Sequence, residues 1–417
     1  MRLRKLAGVA AAAVALSLAA CGGGGTGGSS GASGGNTTLT WAFWTGGSAD
    51  NATWQHVADM VHQKYPNITV KLQTASWNDY WTKLPTQLAS SSAPCIVGMQ
   101  MGRVRQFGNL LVPMDDYVSS AGITTGDFNP QIMKALQVNG KQMAIPYDYG
   151  PYFVYYNKDQ FKSAGLSDPK DGWTVDQFLA DAKKLTSGSK YGFALNNSVD
   201  ALNAWGPTIA GAQAATPDGK LDLTSAAMQK TLSWYAGLQT QDHVAAQLAS
   251  DSSTTDGSQF LAGNAAMYVS GPWDMINVKT TAKFNAGIVT IPVGPTGQQT
   301  TSVGGSGFGI SHGCGDKTDA AKAISVITGS DALSYLGSKG RAYPARTADA
   351  DSWYSSAVPG AKTTLDAALK NGVPYYSTAN WTQVGIAYSN GVVPVVNGQG
   401  SVSSFLQSVQ SSAGSGS

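Results

Sequence analysis

Residues 143–158 read MAIPYDYGPYFVYYNK, and this segment sets the expected architecture of the chain. Its two ends are rich in aromatic and β-branched residues, which favour β-strands. Pro146 and Pro151 interrupt the middle. Because proline has no N–H to donate to a ladder, each marks a strand edge, a bend or a break. A strand interrupted in this way can pass between two lobes, so the segment predicts a hinge.

The interruption also carries three side chains that suit a ligand better than a core. Asp148 stands between Tyr147 and Tyr149, so one carboxylate is flanked by two rings that each have an apolar face and a polar hydroxyl. Such a group fits a polar ligand with apolar faces. We therefore expect these three residues to lie beside a cleft at the hinge.

Length and composition limit the class of protein. At 417 residues the chain is long for a single core, which favours two lobes. Charged residues make up 12% of the chain, about half the usual share. Without Arg2, Arg4 and Lys5 the 27 basic residues fall to 24, against 25 acids that are all aspartate. A near-neutral chain without a basic stripe or nucleic-acid motif gives no reason to expect nucleic acid as a partner.

The N-terminus carries a targeting pattern. Three basic residues precede an apolar run at 6–18, and the sequence LAACG around Cys21 resembles a bacterial lipobox. The resemblance implies a signal peptide at 1–21 and a diacylglycerol on Cys21; the alternative is an ordinary signal peptide with a chance cysteine. Residues 22–36 are almost wholly Gly, Ser, Thr and Ala, which predicts a flexible tether. We expect attachment to the membrane through the N-terminal lipid only.

Two further cysteines, Cys95 and Cys314, follow in the body of the chain. In an oxidising compartment an isolated pair most often forms one disulfide, and two buried free thiols are the alternative. Each lies at the end of an apolar, strand-like run, so the two could be neighbours in one sheet.

Strands alternate with amphipathic helices along the body. Residues 38–44 alternate as a strand, and a helical pattern follows. Thr174 and Gln177 have the spacing of a capping box, with Trp173 placed to pack on Phe178 as a hydrophobic staple. This alternation predicts an α/β fold with helices on both faces of the sheets.

Four of the eleven tryptophans lie beside turn residues, outside any helical or strand periodicity: Trp44, Trp205, Trp273 and Trp381. Rings at the ends of elements can face a cleft and offer flat apolar surfaces to the C–H faces of a sugar. Core packing is the alternative for each ring taken alone.

The ordered motifs of the body resemble the family 1 extracellular solute-binding proteins of ABC importers, which include sugar-binding lipoproteins. Besides the lipobox and tether, the matching motifs are LTWAFW (39–44), MAIPY to VYYNK (143–158), FLAGNAAMYVSGPW (260–273), GIVTIP (287–292), GGSGFGIS (304–311) and YPAR (343–346). The resemblance implies a two-lobe periplasmic-binding-protein fold of type II, with a hinge and interleaved chain segments. One lobe would take 37–147 and 302–345, and the other 148–301 and 346–417.

The resemblance also implies site residues. An aromatic residue of the Gly-Pro-Trp motif and a tryptophan near the C-terminus stack on sugar rings in this family, which implies that role for Trp273 and Trp381. Other candidates for the cleft are Trp44, Tyr149, Trp205, Arg346 and Tyr147, with Asp79 and Asp148 as partners for hydroxyl groups. Arg346 could instead bind a ligand carboxylate or phosphate, or brace the hinge. The family often has Pro-Asp where this chain has Pro94-Cys95, and a disulfide within one lobe would explain the change.

These features predict a monomeric receptor on the extracellular face of the bacterial cytoplasmic membrane, delivering a mono- or oligosaccharide to ABC permease subunits. No cofactor is expected. The histidines lack the spacing of a metal site, since His56 and His62 lie six residues apart.

Three alternatives come from other classes. The sequence GISHG at 309–313 fits a serine-hydrolase elbow, although that fold needs a histidine later in the chain. A secreted carbohydrate-active hydrolase could use Asp115, Asp116 or Asp148 as its acids. A sugar-sensing or adhesion lipoprotein of the same fold would have no role in transport.

Overall fold

Residues 35–249 and 255–414 are described in the computed structural model of the chain. The predicted signal peptide 1–21 with Cys21, and the predicted tether up to residue 34, lie outside them. Among the described residues, no helix is both long and apolar enough to cross a membrane.

Twelve strands occur among the described residues: β1 (Thr37–Trp44), β2 (Ile68–Ala75), β3 (Ile96–Gln100), β4 (Leu111–Val112), β5 (Gln137–Val138), β6 (Lys141–Gln142), β7 (Ile145–Pro151), β8 (Phe153–Asn157), β9 (Met267–Ser270), β10 (Ala286–Thr290), β11 (Ser302–Ser311) and β12 (Val373–Pro374).

The helices of the described ranges are α1 (Ser48–Lys64), α2 (Trp77–Leu88), α3 (Val104–Phe107), α4 (Asp115–Val118), α5 (Pro130–Ala135), α6 (Lys158–Ser163), α7 (Val175–Leu185), α8 (Asp200–Ala210), α9 (Ala226–Thr240), α10 (Thr255–Leu261), α11 (Met275–Thr281), α12 (Lys317–Ile327), α13 (Ser330–Ser338), α14 (Ala361–Lys370), α15 (Trp381–Val396) and α16 (Val402–Gly414). Short 3₁₀ turns lie at Gly108–Leu110, Thr125–Asp127, Pro272–Asp274 and Thr347–Ser355.

A seven-stranded mixed sheet and a smaller three-stranded sheet organise these elements. In the larger sheet the order is β12-β11-β3-β1-β2, with β4 and β7 also paired to β11. Strand β1 runs parallel to β2 and β3, whereas β11 is antiparallel to β3, β4 and β7. The smaller sheet has the antiparallel order β10-β8-β9. The α/β class expected from the sequence is confirmed.

The segment at 143–158 passes from one sheet to the other, as predicted. Strand β7 belongs to the large sheet and ends at Pro151, and β8 of the small sheet begins at Phe153. Tyr152 alone separates the two strands. A strand that changes sheets after one residue is a physical basis for a hinge.

Buried side chains form three clusters, one around the larger sheet and two around the smaller. The first cluster draws on residues 39–147 and 308–345, which we call the first lobe. The other two draw on residues 153–291 and 353–413, which we call the second lobe. Tyr343 also packs in one of them, although its position in the sequence falls within the first lobe. The predicted lobe boundaries at residues 147, 302 and 345 stay predictions. Apart from Tyr343, each cluster contains buried residues from only one of the two predicted lobes.

Glycines in β11 allow it to lie unusually close to β7. A Cβ added at Gly305 would come within 2.5 Å of the backbone oxygen of Asp148, and one added at Gly307 within 2.5 Å of that of Ile145. Real side chains do not tolerate such distances, so the backbone of β7 occupies the space that a side chain would need. The glycine-rich motif at 304–311 is therefore a requirement of strand packing.

The N-terminus of α7 forms the predicted capping box. Thr174 Oγ1 accepts a hydrogen bond from the Gln177 backbone N–H at 3.2 Å, and Gln177 Oε1 accepts one from the Thr174 N–H at 2.8 Å. The ring of Trp173 lies 5.8 Å from that of Phe178, which completes the staple.

Cys95 and Cys314 are joined in a disulfide that spans 219 positions of the sequence. Cys95 lies next to the start of β3 and Cys314 shortly after β11, and these strands are antiparallel neighbours. Both cysteines belong to the first lobe, so the bond fastens two of its strands together and leaves the hinge unconstrained.

We predict that the double replacement Cys95→Ser/Cys314→Ser lowers the free energy of unfolding by about 2–4 kcal/mol, because the unfolded chain is no longer constrained by the crosslink. Urea denaturation of both proteins measures this. A reductant should lower the midpoint of the wild type and leave that of the variant unchanged. Equal midpoints for the two proteins without reductant would contradict the prediction.

Candidate functional site

A cavity of about 110 Å³ lies between the two lobes. The first lobe lines it with Trp77, Asn78, Trp81, Thr82 and Arg103, and the second with Asn197, Ser198, Thr382, Gly385, Ile386, Ser389 and Asn390. Aromatic rings and amide or hydroxyl groups thus meet across one interface, as in sites that bind small polar molecules.

Helix α2 supplies the indole rings of the cavity. Trp77 and Trp81 are four residues apart, which places them on one face of the helix. Ser76 caps the helix by accepting a hydrogen bond from the Asp79 N–H. The Trp77 ring meets Trp44 edge-on at 4.9 Å and Trp81 at 5.5 Å, so three indoles form one cluster.

Arg103 follows β3 and extends over this cluster. Its guanidinium carbon lies 4.8 Å from the ring centroids of both Trp77 and Trp81, a cation–π arrangement. Its Nη1 donates to Gln100 Oε1 at 3.2 Å. A Cβ added at Gly385 of α15 would lie 3.6 Å from its Nη2, so the guanidinium reaches the second lobe.

A chain of hydrogen bonds between side chains lies on the second-lobe side of the cavity. Trp381 Nε1 donates to the Tyr375 hydroxyl at 2.6 Å, and that hydroxyl donates to Asp200 Oδ1. Ser198 Oγ donates to the other carboxylate oxygen of Asp200 at 3.0 Å. Burial is the main cause that raises the pKa of Tyr375 well above its usual value, so its hydroxyl stays protonated.

Trp381 was expected to stack on a sugar ring, and the structure corrects this expectation. Its side chain is fully buried at the start of α15, and its N–H is engaged with Tyr375. In this structure no face of the ring is free to stack on a sugar. The residue that follows it, Thr382, lines the cavity instead.

Polar atoms without partners concentrate at the cavity. Nine buried side-chain nitrogen or oxygen atoms of the described residues have no hydrogen-bond partner, and four of them belong to residues that line it. These four are Trp81 Nε1, Arg103 Nε, Asn197 Oδ1 and Thr382 Oγ1. Each such atom costs about 1–3 kcal/mol relative to a hydrogen-bonded one. Each of these atoms is itself almost fully buried, so a ligand recovers that free energy only if neighbouring side chains move aside.

The cavity is small for a site that holds a whole ligand. Sites for small molecules usually have volumes of about 300–1,000 Å³, and this cavity has about 110 Å³. A sugar therefore needs more room than the cavity has in this arrangement.

Three of the predicted aromatic site residues are half-buried. Trp44 contacts the indoles of α2, as described above. Trp273 meets Tyr152 edge-on at 5.5 Å, and Tyr149 meets Tyr343 at 5.3 Å. Neither Trp273 nor Tyr149 is among the residues that line the cavity, and their contribution to binding stays a prediction.

Trp205 and Tyr147 do not face a cleft, which corrects the expectation for both. Trp205 is 1% exposed within the second core, where it meets Trp234 at 4.7 Å. Tyr147 is 2% exposed in the first core and is stacked on Phe308 at 4.8 Å. Burial of these large rings contributes to stability, and neither ring can reach a ligand in this arrangement.

The two predicted aspartates also lie outside the cavity. Asp79 is exposed on α2 and forms an ion pair with Lys83 at 3.8 Å. Asp148 is buried under β11, where it accepts a hydrogen bond from the Ser306 N–H at 2.8 Å. Burial raises the pKa of Asp148 to about 7, although the charge of Arg341 acts in the opposite direction.

Two carboxylates and one ring hold the side chain of Arg346, and its role in bracing the hinge stays a prediction. Its Nη2 lies 2.6 Å from Asp127 and its Nε 3.1 Å from Asp349, and its guanidinium covers the ring of Phe128 at 5.2 Å. Because two carboxylates already neutralise its charge, Arg346 has no requirement for an anionic ligand.

Trp77, Trp81 and Arg103 were not predicted as site residues. A sequence signal existed, since two tryptophans at helical spacing begin α2 and an arginine follows the end of a strand. The same spacing is typical of a buried helix face, so the pattern could not distinguish a core from a cleft.

The hydrolase alternatives lack a catalytic arrangement. Ser311 of the GISHG motif is fully buried, and its Oγ donates to the Pro94 backbone oxygen at 2.5 Å. Asp115 and Asp116 are exposed on α4, and neither lines the cavity. A nucleophile or an acid pair at these positions would not meet a ligand between the lobes.

Comparison with known families agrees with this geometry. Residues 56–363 match the sequence profile of a family described as bacterial extracellular solute-binding protein. The chain belongs to this family. Its members bind solutes and are not enzymes, which accords with the absence of a catalytic arrangement at the positions considered above.

Two curated relatives show the extent of the similarity. A putative binding protein of Brucella abortus (strain 2308) is 24% identical over 257 residues, which cover 59% of this chain and 61% of that protein. The alignment thus spans about three fifths of that relative's length. The maltooligosaccharide ABC transporter solute-binding lipoprotein of Streptococcus pneumoniae (strain ATCC BAA-255 / R6) is 24% identical over 364 residues, 81% of this chain and 80% of that protein.

Solved structures share the fold. The ABC substrate-binding protein Lmo0181 from Listeria monocytogenes, in complex with cycloalternan, superposes with a TM-score of 0.82 at 20% identity, covering 91% of this chain and 98% of that one. The two-lobe α/β fold expected from the sequence is confirmed by this likeness.

We predict that Asp148 makes stability fall as the pH rises. Between about pH 4 and pH 7 the folded chain keeps a proton on Asp148 that the unfolded chain has lost, so the folded state loses relative stability across this range. Asp148→Asn cannot lose that proton. Its free energy of unfolding relative to wild type should therefore rise by on the order of 2–4 kcal/mol between pH 4 and pH 8.

Urea denaturation at a series of pH values measures this difference, and Asp79→Asn is the matched control at an exposed position. We expect the control to follow the wild type throughout. Parallel curves for Asp148→Asn and the wild type would contradict the prediction.

Proposed function

We propose that the chain is an extracellular substrate-binding protein that captures a carbohydrate and delivers it to the permease of an ABC importer. The observation that carries this proposal is the set of four unpaired, buried polar atoms around a cavity between two lobes, beside a cluster of three indoles. Such a set suits a ligand with both hydroxyl groups and apolar faces.

The chemistry of the lining matches a sugar. The half-buried indole of Trp77 offers apolar surface, and Trp81, which is 2% exposed, supports it from behind. The amides of Asn78, Asn197 and Asn390 can each donate and accept hydrogen bonds with hydroxyl groups. A polar group left without its partner penalises the wrong sugar. These residues are therefore the proposed binding set, together with Trp44, which supports Trp77.

The names of the relatives support the same class of ligand and partner. One is a maltooligosaccharide ABC transporter solute-binding lipoprotein, and one solved structure is an ABC substrate-binding protein in complex with cycloalternan. By analogy we assign this chain a carbohydrate ligand, permease subunits as partners and a lipid on Cys21. The mature protein would act as a monomer on the extracellular face of the cytoplasmic membrane.

Closure of the lobes would be the change by which the permease distinguishes the ligand-bound protein from the free one. A sugar that contacts both lobes binds the closed form more tightly than the open one, so it shifts the population toward closure. The single residue Tyr152 between β7 and β8 would serve as the hinge for such a movement. The permease would recognise the closed arrangement.

We predict that Trp77→Ala weakens sugar binding by at least tenfold, which corresponds to about 1.4 kcal/mol, because it removes an apolar face of the site. A thermal-shift screen of the full chain against mono- and oligosaccharides first identifies a ligand. Isothermal titration calorimetry then measures its dissociation constant for each variant.

Trp234→Ala is the matched control, since Trp234 is a half-buried ring of the second core outside the cavity. Its dissociation constant should stay within about threefold of the wild type. Equal loss in both variants would contradict the proposed site. Release of shorter fragments from a labelled oligosaccharide would contradict a pure binding function.

A further inference from the structure

We propose that the captured carbohydrate is acidic, and that its carboxylate or phosphate group pairs with Arg103. This inference rests on the proposed function and specifies the chemistry of the same site. It follows from the charge of one buried residue and from the absence of a counter-charge in the described part of the protein.

Arg103 is an arginine without a carboxylate. Its residue exposure is 3%, and among the described residues no aspartate lies within ion-pair distance of it. The other two buried or half-buried arginines are both paired, Arg341 with Asp50 at 2.5 Å and Arg346 with Asp127 and Asp349. A buried charge is normally paired because its desolvation is otherwise uncompensated.

The contacts that Arg103 does make leave most of its donors unused. Its hydrogen bond to Gln100 Oε1 uses one N–H of the five, and that oxygen also accepts the Gly102 N–H at 2.8 Å. Its Nε has no partner. The rings of Trp77 and Trp81 attract the positive charge but offer no oxygen to the remaining N–H groups. A planar, two-oxygen acceptor fits the guanidinium best.

Asp200 of the second lobe is not the counter-charge of Arg103. Its charge and that of Arg103 act in opposite directions on the pKa of the Tyr375 hydroxyl, so the two lie in the same region. However, the Asp200 oxygens accept from Tyr375 and Ser198. When the lobes separate, Asp200 moves with the second lobe and the charge of Arg103 stays on the first.

The remaining unpaired atoms orient such a ligand. Trp81 Nε1 is a donor on the same lobe as Arg103, but it is almost fully buried, so an anion reaches it only after neighbouring side chains move. Asn197 Oδ1, on the second lobe, is an acceptor that requires a donor such as a sugar hydroxyl. An acidic sugar meets both demands, with its anionic group toward the first lobe and its hydroxyls toward the second.

The experiment compares matched triplets of sugars, each with a neutral hexose, its uronic acid and its 6-phosphate, as mono- and disaccharides. Inorganic phosphate alone is the control for the anion without a sugar. Thermal shift and calorimetry on the full chain give the dissociation constants. We expect an acidic member of at least one triplet to bind about 10- to 100-fold more tightly than its neutral parent.

Variants then assign the preference to Arg103. We expect Arg103→Gln to abolish the advantage of the acid, so that the acid and its neutral parent bind with dissociation constants within about threefold of each other. Arg103→Lys, which keeps the charge, should retain part of the advantage. Lys83→Gln, which removes an exposed positive charge from the same helix as Trp81, should retain all of it. If Arg103→Gln does not fold, the binding of the sugar triplets to the wild type still tests whether the site prefers an acidic sugar.

The outcomes separate this inference from the proposed function. A preference for the uronic acid or for the 6-phosphate supports the inference and identifies the anion. Neutral members that bind as tightly as their acids overturn the inference and leave the proposed function standing. If inorganic phosphate binds as tightly as the sugar phosphates, the claim that the anionic ligand is a carbohydrate is overturned. Failure of every sugar, neutral or acidic, overturns both.

Discussion

The close antiparallel contact between β7 and the glycine-rich β11 is the constraint on which the remaining structure depends. Strand β11 lies between β3 and β7, and glycines at 305 and 307 let the backbone of β7 occupy the space of absent side chains. The buried carboxylate of Asp148 accepts the Ser306 N–H across this contact. Because β7 continues directly into β8 of the other sheet, this pairing fixes where the first lobe ends and the hinge begins.

Features set by local chemistry could be predicted from the sequence. Residues 143–158 predicted a strand that changes sheets, and Pro151 does end β7. Pro146 instead lies inside β7, paired with Gly307 next to a register shift in β11. Thr174 and Gln177 predicted a helix start, since a capping box uses only neighbouring atoms. The pairing of Cys95 with Cys314 was one of two open alternatives, and the structure contains the bond. The capping box depends only on neighbouring residues, whereas the disulfide joins positions 219 apart and depends on the pairing of β3 with β11.

The site itself could be predicted only in part, because burial of a ring depends on the whole fold. Trp205 and Tyr147 have the neighbours of cleft residues in sequence, yet helices and strands from distant segments cover them. Conversely, Trp77 and Trp81 have the spacing of a core stripe, and Trp81 does belong to the first core, whereas the half-buried Trp77 lies at the cavity. Arg103 carries no local signal of its role, since its lack of a carboxylate partner is a property of three dimensions.

The site joins apolar surface to unsatisfied polar groups between the two lobes, and this combination is the physical basis of the proposed capture of a sugar. The most direct test is a crystal structure of the chain with its tightest sugar. We expect the sugar between the lobes, within hydrogen-bond distance of Arg103 Nε and Asn197 Oδ1 and in contact with the Trp77 ring. A sugar bound on the outer surface of one lobe, with those atoms still unpaired, would contradict the assignment.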